Sequence, residues 1–142
     1  MIRAILGVVL GYVAMFVVIF MTLSISYFAL GTEGVFRPNS YQVTPLWMIL
    51  MAVFAFVAAV IAGKVCRVVS GGRLAVIPLA ALVLVLGMTS AVGMLLSADV
   101  ARTGEISMWE AMGSAQQPAW AALLLPVLCA VGVIMGGRHQ KK

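Results

Sequence analysis

Residues 4–30, AILGVVLGYVAMFVVIFMTLSISYFAL, run for 27 positions without an Asp, Glu, Lys, Arg or His. At about 1.5 Å of rise per residue, a helix of that length reaches about 40 Å, more than the roughly 30 Å hydrocarbon core of a bilayer. The stretch is therefore read as a membrane-spanning helix that tilts or projects beyond the hydrocarbon. It also exceeds the 7–15 residues of a secretory h-region and ends without a small-x-small cleavage site, so it is expected to be retained as a signal-anchor. Three more runs of the same character follow, at 45–63, 74–96 and 118–135. With 64% hydrophobic and 9% charged residues in 142, four spans leave no room for a soluble domain beside them. The expected fold is all-α: one integral membrane four-helix bundle.

Charge sorts by sign between the runs. Arg3, Lys64, Arg67, Arg73, Arg138, Lys141 and Lys142 fall on one side, seven of the nine basic residues. The connections 31–44 and 97–117 fall on the other, with Arg37 and Arg102 and all four acids, Glu33, Asp99, Glu105 and Glu110. Short loops rich in Lys and Arg mark the cytoplasmic face, so both termini are expected inside (N-in/C-in) and the two longer loops outside. A net charge of +5 raises the question of nucleic acid. Its spread over three short stretches instead of one soluble face argues against that partner and for contact with anionic headgroups of the lipid bilayer. Compactness and the lack of targeting or glycosylation signals point to a bacterial cytoplasmic membrane.

The connections carry local signals. Thr44-Pro45 and Gln117-Pro118 place proline at the first helical position, where its missing N–H costs nothing. Trp47 and Trp120 follow two residues later and are expected to anchor the outer span ends at headgroup level. Ser70-Gly71-Gly72 is a tight turn, so spans two and three are expected to form an antiparallel hairpin. Ser107-Met108-Trp109-Glu110 fits a capping box, which predicts a short outer interfacial helix near 108–116, against the alternative of an ordinary ordered loop. Pro126, inside span four, predicts a kink or local loosening.

Two longer patterns bear on packing. An offset of 73 residues aligns Met15 with Met88, Ser24 with Ser97, Gly31 with Gly104, Pro45 with Pro118, Trp47 with Trp120 and Gly63 with Gly136, as a two-span repeat 1–73/74–142 would. Such a repeat preserves orientation and places a pseudo-twofold axis along the membrane normal, although biased composition imitates repeats readily. Small residues four apart, Gly7 and Gly11, Gly87 and Ala91, Gly132 and Gly136, and Ala55, Ala59 and Gly63, put a smooth stripe on each span where backbones can approach. Gly7, Gly11, Gly87 and Gly132 are the expected packing positions, within one chain or in a homo-oligomer.

Chemistry is sparse. The lone histidine, His139, lies in the tail, the acids are scattered, and Cys66 and Cys129 form no C-x-x-C pair. No catalytic or metal motif and no cofactor site is read from this, and no span carries the ionisable residue on which ion-coupled carriers depend. Eight methionines fall in the outer half or its loop, a soft-ligand set without the histidine or cysteine that would make it specific. Ser26 and Tyr27 with Thr89 and Ser90 are the expected outer polar pocket, against the alternative that their hydroxyls simply bond to their own helices or a neighbour. The outer loops hold the charge and aromatics from which an interaction surface is built: Glu33, Arg37, Tyr41, Trp109 and Glu110. The expected function is an accessory or interaction subunit of a membrane complex, touching other membrane subunits; the alternative is a carrier or channel for a small uncharged or hydrophobic solute.

Overall fold

The computed structural model describes residues 2–38, 40–96, 107 and 115–138. Among them the chain is all-α: α1 (Ile2–Val35), α2 (Pro45–Ser70), α3 (Val76–Leu96) and α4 (Ala119–Arg138). Each is long and apolar enough to cross a membrane. The only extended pairings among the described residues are two isolated bridges, Phe36 with Val43 and Gln42 with Gln116.

The helix ends follow local chemistry. In α1, Gly31 takes φ 66° and ψ 177°, a left-handed φ open to glycine, so the long helix breaks after Leu30 and only one further turn reaches Val35. The α2 start is capped by Thr44, whose Oγ1 accepts from the Trp47 N–H at 3.3 Å and donates to the Gly34 carbonyl at 2.7 Å, with Pro45 at the first position. At its other end α2 continues beyond the apolar run, past Lys64 and Arg67, until Gly71 at φ 72° returns its N–H to the Arg67 carbonyl. Charge had ended the apolar run at Gly63; backbone geometry ends the helix at Ser70.

Small residues lie inside and large apolar ones outside. Ala58, Ala59, Ala62 and Cys66 are fully buried, while Ile25, Phe28, Ile49, Ile77 and Val85 are more than half exposed. Water would not tolerate so much apolar surface on a helical protein; hydrocarbon covers it at no cost, and the small inner residues let dispersion hold the helices together.

Contacts run α1 to α2, α2 to α4 and α4 to α3, with α3 meeting α1 and α2 only sparsely. A Cβ on Gly7 would lie 2.8 Å from the Cys66 carbonyl oxygen, and one on Gly11 would lie 2.8 Å from a Leu79 methyl and 3.0 Å from the Ala62 carbonyl oxygen. Between α2 and α4, a Cβ on Gly63 would fall on the Val133 carbonyl and one on Gly136 on the Val60 carbonyl, while one on Gly132 would sit 2.9 Å from Ala59 Cβ. The hairpin expected between spans two and three is therefore corrected. The 71–75 connection is short, but α3 packs on α4. The small stripe of α2 is occupied by α4, whose Gly132 and Gly136 lie against Ala59 and Val60.

Two cores result. At the end carrying Arg3, Lys64, Arg67, Arg73 and Arg138 (the basic end), all four helices converge on Met15, Ala59, Ala62, Cys66, Leu79, Val83, Cys129 and Val133. At the opposite, loop end, Val35, Phe36, Val43 and Trp47 form a second cluster beneath the 36–44 connection. Trp47 is 6% exposed and Trp120 63%. The expectation that both tryptophans face the headgroups fails for Trp47, which is turned inward because the break at Gly31 folds Val35 and Phe36 down over it.

Candidate functional site

The interesting chemistry lies where the helices stop touching. Near the basic end α1 and α3 meet through Gly11 and Leu79. Toward the loop end they part, leaving a cleft of about 540 Å³ lined by Tyr12, Met15 and Ile19 of α1, Val83, Leu86, Gly87, Ser90, Ala91 and Met94 of α3, and Ala122, Leu125, Pro126 and Cys129 of α4. Above it, under the 36–44 connection, sits a chamber of about 210 Å³ lined by Leu23, Ser24, Tyr27, Val35, Phe36, Trp47 and Ala115. Met51, Met94 and Gln117 line both, so the two spaces adjoin. Gln117 also borders a third groove, between α2 and α4, with Met48 and Trp120. Its Nε2–H group lies 3.4 Å from Met51 Sδ. A thioether is a weak acceptor, so that amide has hydrogen-bonding strength in reserve.

Among the described residues, none that lines the cleft or chamber is Asp, Glu, Lys, Arg or His. Among the described residues no group of three or more His, Cys, Asp or Glu is placed to hold a metal. Cys66 and Cys129 are buried and unpaired; the Cys66 thiol donates to the Ala75 carbonyl at 3.4 Å. The arrangement suits a neutral, largely apolar guest.

The residues of the expected polar pocket divide. Tyr27 lines the chamber and Ser90 the cleft. Ser26 donates to the Thr22 carbonyl at 2.8 Å and Thr89 to the Val85 carbonyl at 2.8 Å, each back into its own helix. Ser24 does the same toward Phe20, at 2.6 Å, while its side chain still borders the chamber. The Tyr27 hydroxyl lies 3.3 Å from Thr32 Oγ1. Of the methionines, Met15, Met51 and Met94 face the cleft, whereas Met48, one turn from Met51, looks into the α2/α4 groove.

The loop-end connection is closely bonded. Arg37 N–H donates to Gln42 O at 2.9 Å, Ser40 N–H to Arg37 O at 3.2 Å, Val43 N–H to Gln116 O at 3.0 Å, Thr44 N–H to Val35 O at 2.8 Å and Gln116 N–H to Tyr41 O at 2.9 Å. Phe36 is fully buried and meets Tyr41 edge-on, ring centres 6.1 Å apart. Glu33 and Arg37 are exposed and Tyr41 is half-buried, so these three stand on one ordered platform. Trp109 and Glu110 lie outside the described residues, as does the stretch 108–114 in which the interfacial helix was expected; Ala115 and Gln116, the end of that expected helix, are not helical.

In the sequence Gln117 is only the residue before a helix-starting proline. Its signal was slight: a polar side chain adjoining the apolar run 118–135. Comparison with protein-family models, with curated proteins and with solved structures finds no match to this chain.

Proposed function

We propose that this chain is a small integral membrane accessory subunit, lying in a bacterial cytoplasmic membrane with both termini in the cytoplasm and the 36–44 platform outside. The observation that carries the reading is the platform. A nine-residue connection that ties its backbone to α1, to itself and to the 116 segment is more ordered than a mere linker requires, and it displays Glu33, Arg37 and Tyr41 together. Rigid display of an arginine and an aromatic is how interfaces concentrate binding energy. Orientation rests on the seven basic residues of the opposite side. Purification in mild detergent tests the assignment: the parent chain co-purifies with a membrane partner, and Arg37→Ala releases that partner while α-helical circular dichroism is unchanged. Recovery of the parent as a solitary chain from its native membrane would reject the subunit reading.

A second reading, a carrier for a small uncharged or hydrophobic solute, is favoured by the cleft between α1 and α3. Solute flux in liposomes that is lost on Ser90→Phe would move the assignment there.

The two-span repeat belongs to the same proposal. Gly63 meets Val133 and Gly136 meets Val60, two contacts exchanged by the one 73-residue offset that aligns the sequence halves. Exchange of partners is the mark of a twofold relationship, here between α2 and α4, which run in the same direction.

A further inference from the structure

We infer that the chamber and cleft together form a binding site for a lipid-soluble quinone, its ring in the chamber and its isoprenoid tail in the cleft. The site goes beyond the subunit reading and does not rest on it, since binding is measured without a partner and without flux.

The two compartments differ as the two ends of such a molecule do. The 210 Å³ chamber is walled by the rings of Tyr27, Phe36 and Trp47 and by the thioethers of Met51 and Met94. Aromatic walls favour a flat conjugated ring through offset or edge-on stacking, and polarisable sulfur at a ring edge adds attraction that an alkyl chain does not evoke. The 540 Å³ cleft is mostly aliphatic, with Ile19, Val83, Leu86 and Leu125 along its sides, a single aromatic ring, Tyr12, on its α1 wall, and Met51 and Met94 at the junction that it shares with the chamber. Leu86 and Ser90 on its α3 rim are exposed, so the cleft opens sideways where the surrounding hydrocarbon lies. A tail enters there without leaving an apolar medium.

Charge decides against other lipids. Among the described residues no Asp, Glu, Lys, Arg or His lines either space, so a fatty acid or phospholipid head would bury its charge there without an opposite charge beside it. A quinone carries no charge and offers carbonyl oxygens. Gln117 stands at the junction of the two compartments, and the partner of its Nε2–H group is the Met51 thioether, 3.4 Å away. A quinone carbonyl is a much better acceptor and would take that proton in exchange.

The test uses two single-tryptophan forms of the full chain in nanodiscs, titrated with a decyl-substituted benzoquinone. Trp47 alone (W109F/W120F) reports from the chamber wall, where it is 6% exposed; Trp120 alone (W47F/W109F), 63% exposed outside both spaces, reports quinone merely dissolved in the bilayer. Quinone is expected to quench Trp47 saturably and Trp120 only in proportion to its concentration. In the Trp47 form, Gln117→Leu is expected to raise the half-saturation point about tenfold, the loss of one hydrogen bond. Ser90→Phe, on an exposed position at the cleft rim, is expected to abolish saturation. Decanol, a tail without a ring, is expected not to displace the quinone. Parallel unsaturable quenching of both tryptophans overturns the proposal, as does displacement by equimolar decanol. So does either variant binding like the parent when its detergent melting temperature is unchanged. Should one variant melt early, Gln117→Glu, which puts a charge at the junction, replaces it and must weaken binding as much.

Discussion

Gly87 of α3 lies directly against the ring of Pro126 in α4: a Cβ at Gly87 would come 2.7 Å from Pro126 Cβ and 2.9 Å from its Cγ. A proline inside a helix gives up one backbone bond and bulges toward its neighbour, and here the bulge is received by the one residue type with no side chain. Gly87→Leu is therefore expected to lower stability by about 1–3 kcal/mol through overpacking, read as an earlier detergent melting temperature. Gly93→Ala, on the same helix with open space around it, is expected to leave the melting temperature unchanged. Equal melting of both variants with the parent would show that α3 and α4 do not meet at this ring.

The α2/α4 contact is expected to be less forgiving. At Gly63 and Gly136 the obstructing atoms are backbone carbonyls, which cannot rotate away as a side chain does. Even Gly63→Ala or Gly136→Ala should cost more than Gly87→Ala, because the helices themselves must separate. Ranking the three alanine variants by thermal aggregation in one detergent checks the order.

Arg67 closes the far end of α4 from α2. Its Nη1 donates to the Gly137 carbonyl at 2.7 Å and to the Arg138 carbonyl at 3.2 Å, two of the orphan carbonyls every helix leaves at its C-terminus. A cation there also meets the negative end of the helix dipole. Arg67→Gln is expected to cost about 1–2 kcal/mol and to speed amide exchange selectively in the last turn of α4. Unchanged exchange over residues 134–138 would remove this role.

Thr44 joins two elements by one hydroxyl, accepting from Trp47 N–H and donating to the Gly34 carbonyl. Thr44→Val keeps the shape and loses both bonds, for about 1–2 kcal/mol. Because Trp47 follows the cap, its emission should shift to the red as the loop-end core loosens, and partner binding through Arg37 should weaken with it. Thr44→Ser, which retains the oxygen, is expected to behave as the parent does.

The proposed orientation is checked by labelling. Gln42→Cys, exposed at the loop end, is expected to react with an impermeant thiol reagent outside intact cells, and Gly72→Cys at the basic end only after the membrane is opened. The buried Cys66 and Cys129 give a low background. The opposite pattern would invert the topology.

Of the site, the sequence showed ingredients without their assembly. Tyr27 and Ser90 are polar residues of two different spans, and they border adjoining spaces; Ser26 and Thr89, their neighbours in the chain, turn to their own helices. Nothing in a linear pattern distinguishes these cases, because a hydroxyl one position further round a helix, about 100° away, faces a different neighbour. Met48 and Met51 likewise look alike in the chain and open on different cavities. Gln117 stayed hidden because its importance comes from standing where three spaces meet, and a lone glutamine before a proline has no signature of that.

What the sequence determined by itself is the four apolar helices and their approximate ends, since apolar length against a bilayer and proline or glycine at a terminus are properties of one segment at a time. Tertiary structure alone decided which helix lies beside which. The short 71–75 connection appeared to pair α2 with α3, yet α2 gives its small stripe to α4 through Gly63, Gly132 and Gly136, and α3 takes the remaining place against Pro126. In an apolar medium no hydrophobic penalty selects neighbours, so close packing does, and packing depends on how two surfaces match. The cleft between α1 and α3 is the remainder of that match, which is why no single stretch of the chain announces it.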